Sequence, residues 1–129
     1  MSVGGFMNEL FIDYVDFELG YKFKKNGFKI CYLKDFSLKH TIGNPIEIHL
    51  FGKTYHAMNH SPIRYYYRYR NAYYLYHFVD RQFFKKEYYK ETIVNILKML
   101  IYEKNRKVKF SMIQKGIQDA KCKKMGKFN

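Results

Sequence analysis

Apolar positions recur at two spacings along this chain, and the change of spacing divides it. Val15, Leu19 and Phe23 stand four residues apart, the spacing at which side chains share one face of an α-helix. They predict a helix over about 14–25, with Gly27 placed to end it as a left-handed C′ residue. Asn8 opens a turn ahead of it, and Asp13 stands at the N-cap, which puts Asp16 at N3, where the positive end of the helix dipole favours a carboxylate. FKICYL (28–33) and FSLKH (36–40) are short β-rich runs that predict two strands, or one strand and an extended arm, ended by Gly43-Asn44-Pro45. Residues 46–60 read as mixed loop and strand.

Ser61 followed by Pro62 is a strong helix start, because proline loses nothing at the first helical position. Nothing breaks the pattern until about residue 79. A third helix is predicted over about 84–103, with Tyr89, Ile93, Leu97 and Leu100 as its apolar stripe. A fourth spans about 108–121, with Phe110, Ile113, Ile117 and Ala120 on one side. Two short β-runs alone would leave exposed edges. The pattern therefore predicts a partial α/β fold, mostly helical with two or three short strands.

A length of 129 residues sets one domain, and 47% apolar with 20% aromatic residues excludes a disordered chain. Of the net charge of +13, most lies late: residues 1–80 hold 10 Lys/Arg against 7 Asp/Glu, and residues 81–129 hold 14 against 4. Such an excess suits nucleic acid or an anionic membrane surface, and no nucleic-acid motif accompanies it. Cys31 and Cys122 lack CxxC spacing, which argues against a zinc ribbon or disulfide scaffold and for a reducing compartment. No run approaches the roughly 20 apolar residues of a membrane span, and no signal-peptide pattern opens the chain, so a cytoplasmic location is expected.

Three groups of residues carry candidate chemistry. Asp13, Asp16 and Glu18 cluster at one helix start, either as caps or as catalytic acids aimed into a cleft. His56 and His60 are four apart, as two metal ligands on a helix turn would be, but without the glutamate of an HExxH motif, and His40 closes an extended run before a turn. In SPIRYYYRYRNAYYLYHF (61–78), Arg64, Arg68, Asn71 and Leu75 share one helical face, and Tyr66, Arg70, Tyr73 and His77 another. The free N–H groups after Ser61 with Arg64, together with Arg70 and Asn71, suit a diphosphate.

In order, Gly5-Phe6, Leu10-Phe11, Asp13, Asp16, Glu18, Gly27 and His40 lead to Arg64, Tyr66, Tyr67, Arg70 and Asn71 in an RxYYxxRN pattern. A lysine-rich ending follows around Lys115-Gly116. This succession resembles the C-terminal part of family 2 glycosyltransferases of the GT-A fold, in the rhamnosyltransferase and galactofuranosyltransferase branch. The resemblance implies an inverting transfer from a nucleotide-diphosphate sugar, of the dTDP-rhamnose kind, to a saccharide or lipid-linked acceptor in cell-surface polysaccharide synthesis. Asp16 is then the general base. His40 joins an Asp-x-Asp motif in holding Mn²⁺ or Mg²⁺, and Gly4, Gly5 and Phe6 line the acceptor pocket with Asp13 and Glu18.

No Asp-x-Asp occurs in this chain. Residues 1–60 are therefore expected to form the acceptor-side part of the catalytic domain, and 61–129 a basic, aromatic-rich helical region, the whole being a C-terminal portion peripheral at the inner face of a membrane. The alternative is a non-catalytic basic module that binds an anionic membrane surface or a partner protein and has no need of Asp16.

Overall fold

The computed structural model of the chain describes residues 3–31, 34, 37, 46–50, 52–57 and 59–128. A 3₁₀ turn at Asn8–Leu10 leads into α1 (Val15–Lys25), and an antiparallel hairpin follows, β1 (Ile46–Leu50) and β2 (Lys53–Ala57). Next come α2 (Pro62–Tyr74), continued by a wide π-helical turn at Leu75–Val79, and α3 (Arg81–Tyr89), joined to α4 (Ile96–Tyr102) by a second π-helical stretch at Lys90–Asn95. The last helix is α5 (Arg106–Lys121). The chain is mostly helical.

The described strands fall in the stretch read as mixed loop and strand, not in the part of the β-rich runs that the structure describes. Residues 28–31 form no strand, and the remainder of 28–45, Lys34 and Ser37 excepted, lies outside the described residues. Pairing occurs instead between residues 46 and 57, with Ile46 opposite Ala57 and Leu50 opposite Lys53. Ile46, Ile48 and Leu50 alternate with Glu47 and His49, the period of two that a strand requires. Gly52, at φ 72°, takes the left-handed position that the tight turn needs.

α2 is the centre of the fold. Ser61 is extended at ψ 153°, as the residue before a proline must be, yet its side chain makes no capping bond. Tyr65, Tyr66, Tyr67, Tyr69, Arg70, Asn71 and Ala72 are all buried, which closes every side of the helix and merges the two faces expected from its wheel. The tyrosines tolerate this because each ring is apolar and each hydroxyl finds a partner. Tyr65 donates to Glu103 and Tyr66 to Asp119, both at 2.8 Å; Tyr69 donates to the Glu91 carbonyl, and Tyr67 accepts from the Phe128 amide.

α5 packs directly on α2. Gly116 permits the approach, since a Cβ there would overlap the Tyr66 carbonyl. Tyr65, Tyr69, Met99 and Ile113 form one apolar core, while a second gathers Leu10, Tyr14, Tyr21, Ala72, Leu75, Tyr76 and Phe84.

The stripe expected along the third helix faces the other way. Asp80, accepting from the Phe83 amide, caps this helix earlier than predicted, and Phe84 and Met99 turn inward. Tyr89, Ile93, Leu97 and Leu100 stay exposed. The π-helical stretch changes the later part of the stripe, Leu97 and Leu100, because its extra residue per turn rotates everything after it. Glu91 is the group it turns inward, to meet both Arg68 donors at 2.8 and 2.9 Å. In α5 a similar exchange leaves Phe110 exposed and buries Lys109, which donates to Glu103 at 2.7 Å and to the Asn59 side chain at 2.9 Å.

Candidate functional site

α1 starts from a turn that polypeptide backbones avoid. Phe11, Asp13 and Tyr14 all have φ between 60° and 67°, a region costing roughly 1–2 kcal/mol for each side chain with a Cβ. Such a turn persists when its surroundings over-determine it. Asn71 supplies much of that constraint, its amide donating to the carbonyls of Leu10, Ile12 and Asp13 at 2.8–2.9 Å. Arg70 supplies the rest, donating to Leu10 and Glu9 carbonyls at 2.9 and 3.2 Å, to Gly126 at 2.6 Å and to the Asn71 side chain at 3.0 Å. Both side chains are fully buried, and their donors serve the backbone instead of an open surface.

Asp13 does not cap α1. Tyr14 occupies the N-cap position in a left-handed conformation with no side-chain cap bond, and the Asp13 carboxylate turns to Arg64, with bonds of 2.6 and 3.3 Å. Arg64 is therefore paired with an acid, and Asp16 falls at the second residue of α1 instead of N3.

Asp16 is exposed and has no hydrogen-bond or ion-pair partner among the described residues. It stands between two adjoining grooves. One, of about 510 Å³, has apolar walls from Phe6, Leu19, Phe23, Phe28 and Ile30, with Lys29 as a second polar group. The other, of about 360 Å³, includes Phe17, Lys24 and Phe83. Largely apolar walls with a few placed polar groups are the usual make-up of a small-molecule site.

Glu18 lies one turn beyond the start of α1, with only 3% of the residue exposed. Its Oε1 pairs with Lys22 Nζ at 3.0 Å, and the same ammonium donates to the Gly5 carbonyl at 3.0 Å. Lys22 thereby ties the Gly4-Gly5-Phe6 loop to α1. Glu18 Oε2 is buried without a hydrogen-bond partner among the described residues. The structure thus brings Phe6 and Asp16 to one groove, ties Gly5 through Lys22 to Glu18, which lies two residues from Asp16 and so faces away from it, and puts Asp13, Arg64, Arg70 and Asn71 beneath the first turn of α1. Sequence reasoning missed Lys22, Phe28 and Ile30; Lys22 was legible as the i+4 partner of Glu18.

His40 lies outside the described residues, as does the His56 side chain. His60 sits in the segment before α2 with its Nε2 buried and unpartnered among the described residues. Burial, followed by the nearby Arg68 and Arg64 charges, holds its pKa below the usual imidazole range. Among the described residues no three His, Cys, Asp or Glu side chains converge on a point where a metal ion would bind, and no helix is long and apolar enough to cross a membrane. Comparison with protein-family models, with curated proteins and with solved structures finds nothing that matches this chain.

Proposed function

We propose that this chain forms the acceptor side of an inverting glycosyltransferase, in which Asp16 takes the proton from an acceptor hydroxyl as that oxygen attacks the anomeric carbon of a nucleotide-diphosphate sugar. The supporting observation is the placement of Asp16, an unpaired carboxylate at the mouth of an apolar groove. Beneath it, the turn is locked from below by Arg70 and Asn71. A base in this position contributes typically 10²–10⁴-fold, and rigid support is what holds such a base within reach of its proton.

As the acceptor oxygen bonds to the anomeric carbon, the bond to the diphosphate breaks and the leaving group carries away its electron pair. One displacement inverts the configuration. Glu18, another acid that the resemblance gives to the acceptor, is buried away from this groove and acts in this reading through Lys22, which holds the Gly4-Gly5-Phe6 loop against α1. Arg64, Arg70 and Asn71 act in this reading as positioning residues for the turn. The Mn²⁺ or Mg²⁺ implied by the resemblance would neutralise the leaving diphosphate, with His40 and carboxylates from beyond this chain as its ligands. The donor class is a sugar of the dTDP-rhamnose kind, and the acceptor a saccharide or lipid-linked saccharide.

Titration of the labelled chain with oligosaccharide acceptors, followed by NMR, tests the reading. Shifts concentrated at the amides of Phe6, Asp16, Leu19 and Phe28 support it, and their absence across a panel of acceptors overturns it. In the active transferase, Asp16→Asn should lower turnover by ~10²–10⁴-fold with circular dichroism unchanged.

A further inference from the structure

The helix that runs through α3 and α4 carries an aliphatic stripe that no described residue covers. Ile93, Val94, Leu97, Leu100 and Ile101 are 53%, 43%, 54%, 39% and 58% exposed, and they recur at the three- and four-residue spacing of one helical face. Contiguous exposed apolar surface of this kind marks an interaction site.

The charges around the stripe select its occupant. Lys86 and Lys90 precede it and Lys104 follows it, all exposed, with Lys98 half-buried within it. The acids of the same stretch are drawn inside. Glu91 holds Arg68 and Glu103 holds Lys109, both carboxylates being almost fully buried, and Glu87 is half-buried. The outward charge is thus almost wholly cationic. A second copy of the chain would set lysines against lysines, whereas a surface of negative headgroups over hydrocarbon meets both properties at once.

We propose that this face docks into the interfacial layer of a bilayer containing anionic lipid. The helix from the end of α3 through α4 lies in the plane of the membrane, its aliphatic side chains reach the acyl boundary, and the lysines at its two ends rise to the phosphates. No described helix can span the bilayer, which fits an in-plane element. The proposal does not depend on Asp16 or on the transfer reading.

Sedimentation of the chain with phosphatidylcholine vesicles, with and without phosphatidylglycerol, tests it. Binding should require phosphatidylglycerol and weaken with salt. Lys86→Gln and Lys90→Gln should each lower the partition coefficient about fivefold, and Leu97→Ser with Ile101→Ser together roughly tenfold. All four positions are outside the core, so circular dichroism should be unchanged. Failure of the wild-type chain to bind phosphatidylglycerol vesicles overturns the proposal, and so does undiminished binding of the Leu97→Ser, Ile101→Ser variant. Concentration-dependent dimerisation without lipid that the same variant abolishes would reassign the face to a second copy.

Discussion

Arg64 grips Asp13 across 51 residues of sequence, its Nη2 2.6 Å from Oδ1 and its Nε 3.3 Å from Oδ2. The carboxylate side chain is only 12% exposed, so the pair lies between the exposed and buried regimes of ion-pair energetics. Arg64→Met should cost about 1–2 kcal/mol in urea unfolding, and Asp13→Asn a similar amount. A double-mutant cycle showing no coupling between them would refute this account of the turn before α1.

Arg70 offers the larger effect. Its guanidinium is fully buried against the rings of Tyr66 and Tyr67 and bonds to three backbone carbonyls. Arg70→Leu leaves those carbonyls unpaired and should destabilise by about 3–5 kcal/mol, read as a lower urea midpoint or as insoluble expression. Arg70→Lys should recover little, because one ammonium cannot reproduce the planar fork.

Gly116→Ala tests the packing of α5 on α2. The added methyl group would overlap the Tyr66 carbonyl, which is backbone and cannot swing away. A loss of about 1–3 kcal/mol is expected, measured as a lower melting temperature. An Ala variant as stable as the parent would show that the two helices are further apart than described.

Stability should also fall on mild acidification. His60 has its pKa held below the ordinary value by burial and by Arg68 and Arg64, and His77 is lowered by burial with Arg81 and Lys121. The unfolded chain therefore takes up protons at a higher pH than the folded one. The stabilisation is fully present above the unfolded histidine pKa near 6.5 and is lost as pH falls toward the lower folded values. Unfolding free energy measured between pH 8 and 5 should decline, and His60→Gln should flatten part of that slope.

Helix positions are legible in the sequence wherever a local signal defines them. Ser61-Pro62 announces α2, and Gly27 follows the end of α1. What is not legible is rotation. The α3–α4 stripe reads as core because Tyr89, Ile93, Leu97 and Leu100 keep helical spacing, yet all four stay exposed, and a π-helical stretch around Glu91 shifts the phase of Leu97 and Leu100, which follow it. That stretch is favoured by a contact with Arg68 far away in sequence. Asp13 is misread for the same reason, since its cap role loses to Arg64, 51 residues away. The β-rich run at 28–33 reads more clearly as strand than the mixed 46–60 segment, yet among the described residues it is Ile46–Leu50 that gains a partner strand, because pairing depends on a neighbour that composition does not show. Around the candidate site, the clustering of acids at the start of α1 is visible in sequence, while the support of the turn before it by Arg70 and Asn71 is tertiary.

The bonds around Arg70 also bear on how the fold assembles in time. Gly126 N donates to the Glu9 carbonyl at 2.7 Å, and Arg70 bonds to the carbonyls of both residues, so nearly the whole length of chain must be looped before this junction can close. Closing a loop of that size carries an entropic cost of about 4 kcal/mol, and contacts of such separation reward the chain only late. The junction is therefore a latch made after the helices have docked on α2. Weakening it, as in Gln or Leu replacements of Arg70, should speed unfolding far more than it slows refolding, so stopped-flow kinetics of such variants should show the loss mainly in how long the folded chain lasts.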